Sequence, residues 1–126
     1  VARLCSVISC ASAPYARGSG MGKTFVDNTK ASGVIIASLI TVVYSSAMLF
    51  YMINSSLSLE LPLDFVMMRF AVNFLIIAIL AVFAYAFSKL IERKIGGITG
   101  DTLGALLEIS SLVYLFLIIV VPTFFL

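Results

Sequence analysis

The chain has 126 residues, of which 62% are hydrophobic and only 11% are charged. Soluble domains carry about 25% charged residues, so this composition indicates a membrane protein and excludes a soluble globular enzyme and a disordered chain. Eight Lys and Arg side chains against six Asp and Glu give a net charge of +2, too small for binding a nucleic-acid backbone, so we expect no nucleic-acid partner. The chain contains no histidine, which excludes histidine-based catalysis.

Three long stretches without charge predict membrane-spanning helices. They cover residues 34–53, 70–88 and 109–126, and each is close to the roughly 20 residues that cross about 30 Å of hydrocarbon. With their flanks, the spans are placed at about residues 34–53, 67–88 and 102–126. The apolar run before Pro14 lacks the basic start of a signal peptide and predicts the end of a further helix. The expected fold is all-α: one membrane domain, a polytopic transmembrane helical bundle of three full spans plus the end of a preceding helix.

The segments between the spans differ in charge. Residues 17–33 carry three bases and one acid, residues 89–101 carry three bases and two acids, and residues 54–65 carry two acids, Glu60 and Asp64, and no base. Because basic residues in short loops stay cytoplasmic, we expect cytoplasmic loops at about 17–33 and 89–101 and an outer loop between them. The two basic loops, which also contain the glycines, are therefore predicted to share one side of the membrane.

The first basic loop contains Gly-Ser-Gly-Met-Gly-Lys-Thr at residues 18–24, which is similar to a phosphate-binding P-loop. That motif requires a glycine where this chain has Arg17, and it follows a β-strand rather than a membrane helix. We therefore interpret the segment as a flexible turn between helices, with Gly18, Gly20 and Gly22 supplying a permissive backbone.

The second basic loop contains Gly-Gly-Ile-Thr-Gly-Asp-Thr-Leu-Gly at residues 96–104. Gly96, Gly100 and Gly104 repeat every four residues, and on one helix they would form a small-residue packing face. Each glycine inside a helix costs about 1 kcal/mol relative to alanine, which favours an irregular turn. In that case Thr99 or Asp101 would cap the third span by accepting hydrogen bonds from its first amides.

Two acids of the third span are candidates for metal chemistry. Asp101 and Glu108 are seven residues apart, so on a helix they share one face about 10 Å apart. Mg²⁺ prefers oxygen ligands and is often held by one or two carboxylates plus substrate phosphates, which suits Asp101 beside the glycine turn. Glu108 lies two turns inside the span, where an ionisable group marks a functional site, either as an outer metal group or as a paired intramembrane acid. A capping role for Asp101 stays open.

These motifs together resemble the cobalamin synthase family of adenosylcobinamide-GDP ribazoletransferases. The matching residues are Arg3, Pro-Tyr-Ala-Arg at 14–17, Gly-Met-Gly at 20–22, Gly-Gly-Ile-Thr-Gly-Asp-Thr-Leu-Gly-Ala at 96–105, and Glu108. The resemblance implies a Mg²⁺-dependent enzyme in a bacterial or archaeal cell membrane, with its active side cytoplasmic. It would transfer the adenosylcobinamide phosphate moiety from adenosylcobinamide-GDP to α-ribazole or its 5′-phosphate, release GMP, and form adenosylcobalamin or its 5′-phosphate.

The resemblance also implies roles for particular residues. The catalytic residues would be Arg17, Thr99 and Asp101, the substrate-binding residues Tyr15, Arg17, Gly20, Gly22, Gly97 and Gly100, and the metal ligands Asp101 and Glu108. Family members have an aspartate-rich motif in an N-terminal half that these residues lack. We therefore expect this chain to be the C-terminal half of a longer enzyme, to need the missing N-terminal half as a partner, and to be inactive alone.

The sequence also allows a function of another class, that of a non-catalytic small transporter or scaffold subunit in the lipid bilayer. Glu108 would then be a proton or cation site, and the glycines at 96, 100 and 104 would form a packing face.

Overall fold

The computed structural model of the protein describes residues 1–56 and 63–125, in which every regular element is a helix. The helices are α1 (Ala2–Ser12), α2 (Met21–Asn28), α3 (Ala31–Ser56), α4 (Leu63–Ile95) and α5 (Gly100–Phe125). The predicted all-α membrane bundle is thus confirmed. The expected outer loop is only partly described, because Glu60 lies outside the described residues.

Three of the helices are long and apolar enough to cross a membrane. The candidate spans are Ala31–Asn54, Leu63–Ile95 and Gly100–Val121. The 33 residues of α4 extend for about 50 Å, more than the roughly 30 Å of hydrocarbon, so the charged ends of α4 reach beyond the apolar layer. Large apolar side chains on the outside of the bundle, such as Val43 and Tyr44, are exposed as lipid-facing residues are.

The structure differs from the sequence-based expectation in the two basic segments. Eight residues of the first segment form α2, and in the second only residues 96–99 separate α4 from α5. Helix α4 continues past Ser88 because charge excludes a residue from hydrocarbon without breaking a helix. An ion pair of 2.8 Å between Lys89 Nζ and Glu92 Oε2, three residues apart, supports this last part of α4.

The short helix α1 lies at the centre of the bundle and contacts α3, α4 and α5. The main core cluster consists of Cys5, Ile76, Leu80, Ala84 and Leu106. Small side chains allow the helices to approach closely, as is usual between membrane helices. The hydroxyl groups of Ser9 on α1 and Ser88 on α4 are hydrogen-bonded at 2.7 Å, and both residues are buried.

A second polar contact ties α3, α4 and α5 together deeper in the bundle. Asn73 Nδ2 donates to Ser45 Oγ at 3.1 Å, and the Tyr114 hydroxyl donates to Asn73 Oδ1 at 3.0 Å. Ser45 and Tyr114 each lie about 21 Å along their helices from the ends that begin near the basic segments. We call these three residues the Asn73 cluster, and it fixes the relative height of the three spans.

Candidate functional site

Two backbone hydrogen bonds join the chain after α1 to the turn between α4 and α5. The Ala16 amide donates to the Ile98 carbonyl oxygen at 2.9 Å, and the Ile98 amide donates to the Pro14 carbonyl oxygen at 2.8 Å. This parallel pairing of Tyr15 with Ile98 satisfies backbone groups that have no helical partner. Ile98 is completely buried, so the pairing belongs to the core. We call residues 14–17 and 97–101 the motif junction, where the two motifs meet at one end of the bundle.

Gly97 permits this close backbone contact. An added Cβ at Gly97 would collide with the Pro14 carbonyl oxygen and would lie 2.8 Å from the Ala16 nitrogen. The φ of +154° at Gly97 is also one that side-chain-bearing residues rarely adopt. The structure therefore gives Gly97 a packing role at the motif junction, and its predicted contact with substrate stays a prediction.

The ring of Tyr15 occupies the space beside Gly20 and Gly22. A Cβ at Gly20 would lie 2.8 Å from Tyr15 Oη, and one at Gly22 would lie 2.7 Å from Tyr15 Cε2. In addition, Lys23 Nζ donates to the Gly18 carbonyl oxygen at 3.0 Å, closing the same loop from the other side. The segment that the sequence indicated as a flexible turn is thus a loop held by specific contacts that leads into α2.

Thr99 caps α5. The Thr102 amide donates to Thr99 Oγ1 at 3.3 Å, and in return the Thr99 amide donates to Thr102 Oγ1 at 2.8 Å. This reciprocal pair satisfies free amides at the helix start in the manner of a capping box. Of the two caps that the sequence allowed, the structure selects Thr99, so the alternative in which Asp101 caps α5 is wrong. Gly100 follows as the exposed first residue of α5.

The charged residues of the two motifs approach each other at the motif junction. Arg17 Nη2 lies 3.9 Å from Asp101 Oδ2, with the two side chains 67% and 90% exposed. An ion pair this long and this exposed contributes about 0–1 kcal/mol, so it opens easily when a ligand competes for either charge. Asp101 also lies in the first turn of α5, where the helix dipole favours a negative group.

The second predicted metal ligand lies away from the first. Glu108 is on the exposed surface of α5, two turns beyond Asp101, and forms no ion pair within residues 1–56 and 63–125. In the described part of the chain, no three His, Cys, Asp or Glu side chains converge as a metal site requires. The donor chemistry of Asp101 suits Mg²⁺, and the magnesium site stays a prediction.

The glycine repeat of the second motif does not form a helix-packing face within the described residues. Gly96 lies outside both neighbouring helices with φ +81°. An added Cβ would meet nothing within 4 Å at Gly96, Gly100 or Gly104. The irregular turn, which was the other expectation, is the observed arrangement.

Two contributors to the site were not singled out from the sequence. Thr102 completes the cap, and the spacing Thr99-x-x-Thr102 is a form of capping box that the pattern contains. Lys23 closes the glycine loop through the Gly18 carbonyl, and no local pattern indicates that contact.

The fold and the site define a polytopic helical membrane protein whose two motifs meet at one end of the bundle, with an arginine and a carboxylate exposed there. The family model described as Cobalamin-5-phosphate synthase matches residues 1–119, and the chain belongs to this family. The resemblance found in the motifs is thereby confirmed. No solved structure matches the chain.

Curated relatives carry the name adenosylcobinamide-GDP ribazoletransferase. The chain is 62% identical to the Fusobacterium nucleatum protein over 125 residues, which cover 99% of this chain and 45% of that protein. It is 34% identical to the Clostridium acetobutylicum protein over 118 residues, covering 90% and 37% of the two chains. For Thermodesulfovibrio yellowstonii the identity is 29% over 106 residues, covering 79% and 32%. The chain therefore spans less than half the length of these relatives.

Proposed function

We propose that this protein transfers the adenosylcobinamide phosphate group of adenosylcobinamide-GDP to α-ribazole or α-ribazole 5′-phosphate. A hydroxyl of the ribazole attacks the phosphorus nearer the cobinamide and gives up its proton to water. The bond from that phosphorus to the bridging oxygen breaks, and GMP leaves with that oxygen and the electron pair of the bond. The product is adenosylcobalamin or its 5′-phosphate. Membership of the family supports this reaction, and the approach of Arg17 to Asp101 at the motif junction is the observation that carries it.

Arg17 and Asp101 are the residues to which we assign the diphosphate. The planar guanidinium of Arg17 suits two phosphate oxygens at once, because its donors form a fixed fork. Asp101 would hold Mg²⁺, which when bound would neutralise charge on the phosphate oxygens. Because the Arg17–Asp101 pair is weak, Arg17 is free to turn to the diphosphate once Asp101 is engaged by a cation.

We assign the other residues of the site a structural role around these two groups. Gly97 and Thr99 fix the backbone that carries Asp101, and Tyr15 fixes the loop that carries Arg17. Further Mg²⁺ ligands would come from the part of the relatives' length that these residues do not match, so we expect residues 1–126 to be inactive without it. Glu108 would then be an outer group or would pair with a residue from that part.

The assay uses membranes that contain the complete protein as its whole gene encodes it. We expect GMP release from adenosylcobinamide-GDP that requires both α-ribazole and Mg²⁺ and that falls at least about a hundredfold in Asp101→Asn. Asp64→Asn removes a carboxylate at the opposite end of α4 and should leave turnover within about twofold, as a matched control. No GMP release under any of these conditions would contradict the proposal.

We also place the motif junction on the cytoplasmic side of the cell membrane, because most basic residues flank it. On a background without Cys5 and Cys10, a cysteine at Ser19 should resist an impermeant thiol reagent in intact cells, whereas one at Asp64 should react. The reverse labelling would contradict this orientation.

The alternative of a transporter or scaffold subunit gains no support from the described residues. A cation path needs polar side chains that are open to the ion, whereas Ser9 and Ser88 bond to each other and Asn73 bonds to Ser45 and Tyr114. Glu108 lies on the outside of the described bundle rather than in such a path.

A further inference from the structure

A groove with a volume of about 380 Å³ follows the last turns of α4. It is lined by Ala86, Lys89, Leu90, Arg93 and Lys94. The groove therefore combines three cationic side chains with two apolar ones, and the last two residues of the lining are both cationic. Nothing in the proposed transfer reaction uses these residues.

Two of the three cations are not neutralised. Lys89 forms the 2.8 Å ion pair with Glu92. Arg93 and Lys94 are exposed, and neither forms an ion pair with any residue in the two described ranges. The groove thus presents a local excess of positive charge at the end of a membrane span, in the position of the lipid headgroups.

An exposed apolar stripe continues from the groove along the same face of α4. Its members follow one another at intervals of three or four residues: Leu75 (60% exposed), Ile79 (50%), Val82 (69%), Ala86 and Leu90 (50%). From the first to the last member the stripe is about 22 Å long, more than the roughly 15 Å depth of one leaflet. An acyl chain can therefore lie along the stripe while its headgroup reaches the cations.

We propose that this surface binds an anionic phospholipid, with its phosphate between Arg93 and Lys94 and an acyl chain on the stripe from Leu90 to Leu75. The continuity of unpaired cations with a lipid-facing stripe favours a lipid over a soluble phosphate, which would use the cations alone. Basic clusters at the ends of membrane helices attract anionic headgroups for this electrostatic reason. The proposal is independent of the transfer reaction.

The absence of tryptophan from the chain allows a local fluorescence test. A single tryptophan is introduced as Val82→Trp in the complete protein, any tryptophan outside these residues being replaced by phenylalanine. The protein is reconstituted in vesicles of brominated phosphatidylglycerol, brominated phosphatidylcholine or their mixtures with unbrominated lipid. From the quenching we expect phosphatidylglycerol to bind beside residue 82 at least about threefold more strongly than phosphatidylcholine.

A matched tryptophan on another span distinguishes a specific lipid site from a general attraction of anionic lipid to the protein. Val43 on α3 is 68% exposed, nearly the same as Val82. The two residues lie about 18 Å and 20 Å from the ends of their helices that are near the basic segments. At Val43→Trp we expect equal binding of the two lipids within about 1.5-fold. An equal preference at both reporters would overturn the proposal.

Charge variants identify the cations responsible. Arg93→Gln with Lys94→Gln should abolish the preference at Val82→Trp, whereas Lys23→Gln with Lys30→Gln removes the same charge from the same end and should preserve it. A preference that survives the first pair of substitutions would assign the effect to other cations.

Two further results would also contradict the proposal. Loss of the preference in millimolar inorganic phosphate would mean that the cations bind a soluble anion. An absence of quenching at residue 82 would show that protein covers the stripe. Each of these results would contradict the lipid site.

Discussion

The motif junction and the Asn73 cluster join helices in opposite ways. At the junction the bonds run between backbone groups, and the charged side chains of Arg17 and Asp101 are 67% and 90% exposed. In the Asn73 cluster the bonds run between side chains, and Asn73 is 1% exposed with its amide oxygen and nitrogen both engaged.

The difference separates a site from a structural contact. A buried polar group that is hydrogen-bonded to two neighbouring helices holds them in register and is closed to a ligand by its burial. Exposed charges on a backbone that is fixed by other bonds keep their bonding capacity for a ligand, and little energy is lost when Arg17 and Asp101 part. Changes at the junction charges should therefore alter activity, and changes in the cluster should alter stability.

The largest effect is expected from Gly97→Ala, which breaks the junction itself. The added methyl group collides with the Pro14 carbonyl and strains the backbone, so we expect a loss of about 2–4 kcal/mol of stability and of most activity. Thermal unfolding in detergent and GMP release measure the two effects. Gly104→Ala, where an added Cβ meets nothing within 4 Å, is the control and should be stable and active. Equal behaviour of the two variants would show that the close contact is unimportant.

Asp101→Asn should remove activity while leaving the fold intact. Thr99, rather than Asp101, caps α5, and the Arg17 pair is weak, so stability should change by less than about 1 kcal/mol. Activity should fall about a hundredfold or more, equivalent to about 2.7 kcal/mol in the transition state. Thr99→Ala is the counterpart and should lower stability by about 1 kcal/mol through loss of the cap. Near-normal turnover in Asp101→Asn would remove Asp101 from the site.

Arg17→Lys keeps the positive charge but loses the planar fork. We expect weaker binding of adenosylcobinamide-GDP by about 1–3 kcal/mol, seen as a higher KM for that substrate and an unchanged KM for α-ribazole. The kinetics are measured in membranes with matched protein content. Lys30→Arg, at an exposed residue that follows α2 in the same basic segment, should leave both values unchanged. An unaltered kcat/KM for both substrates in Arg17→Lys would leave Arg17 with a topological role only.

Asn73→Leu tests the other side of the comparison. It removes the bonds of residue 73 to the Ser45 and Tyr114 hydroxyls, so we expect a loss of about 1 kcal/mol of stability, as is typical of hydrogen bonds between membrane helices. The kcat of the folded enzyme should stay within about twofold of the wild type. A large fall in kcat with normal stability would mean that the cluster takes part in the reaction.

The smallest effect is expected from Tyr15→Phe. The ring that lies beside Gly20 and Gly22 is kept, and only the hydroxyl is lost. The free energy of unfolding should therefore change by less than about 0.5 kcal/mol, and the KM by less than about twofold. Tyr15→Leu changes the shape beside both glycines and should lower activity further. A strong KM defect in Tyr15→Phe would instead support the substrate contact that the family resemblance implies.

Much of the fold and some of the site were predictable from the sequence. The charge-free stretches predicted the three spans, because hydrocarbon excludes charge along the whole length of a helix. The motif residues predicted the family, and the charge pattern placed both motifs at one end. The pattern did not reveal that α4 continues to Ile95 or that α2 forms, because polar residues outside the membrane are compatible with both helix and loop.

Tertiary structure decided what each motif residue does. From the sequence, Thr99 and Asp101 were equal candidates for the helix cap, and only the position of the Thr102 hydroxyl selected Thr99. Gly97 is necessary because Pro14 lies against it, and these two residues are more than eighty positions apart in the chain. Whether a segment lies in hydrocarbon or in water depends on its own residues, so this can be predicted from the local sequence. A cap, a close backbone contact or an ion pair depends on which atoms another segment brings within about 3–4 Å, and that is set by the packing of the helices.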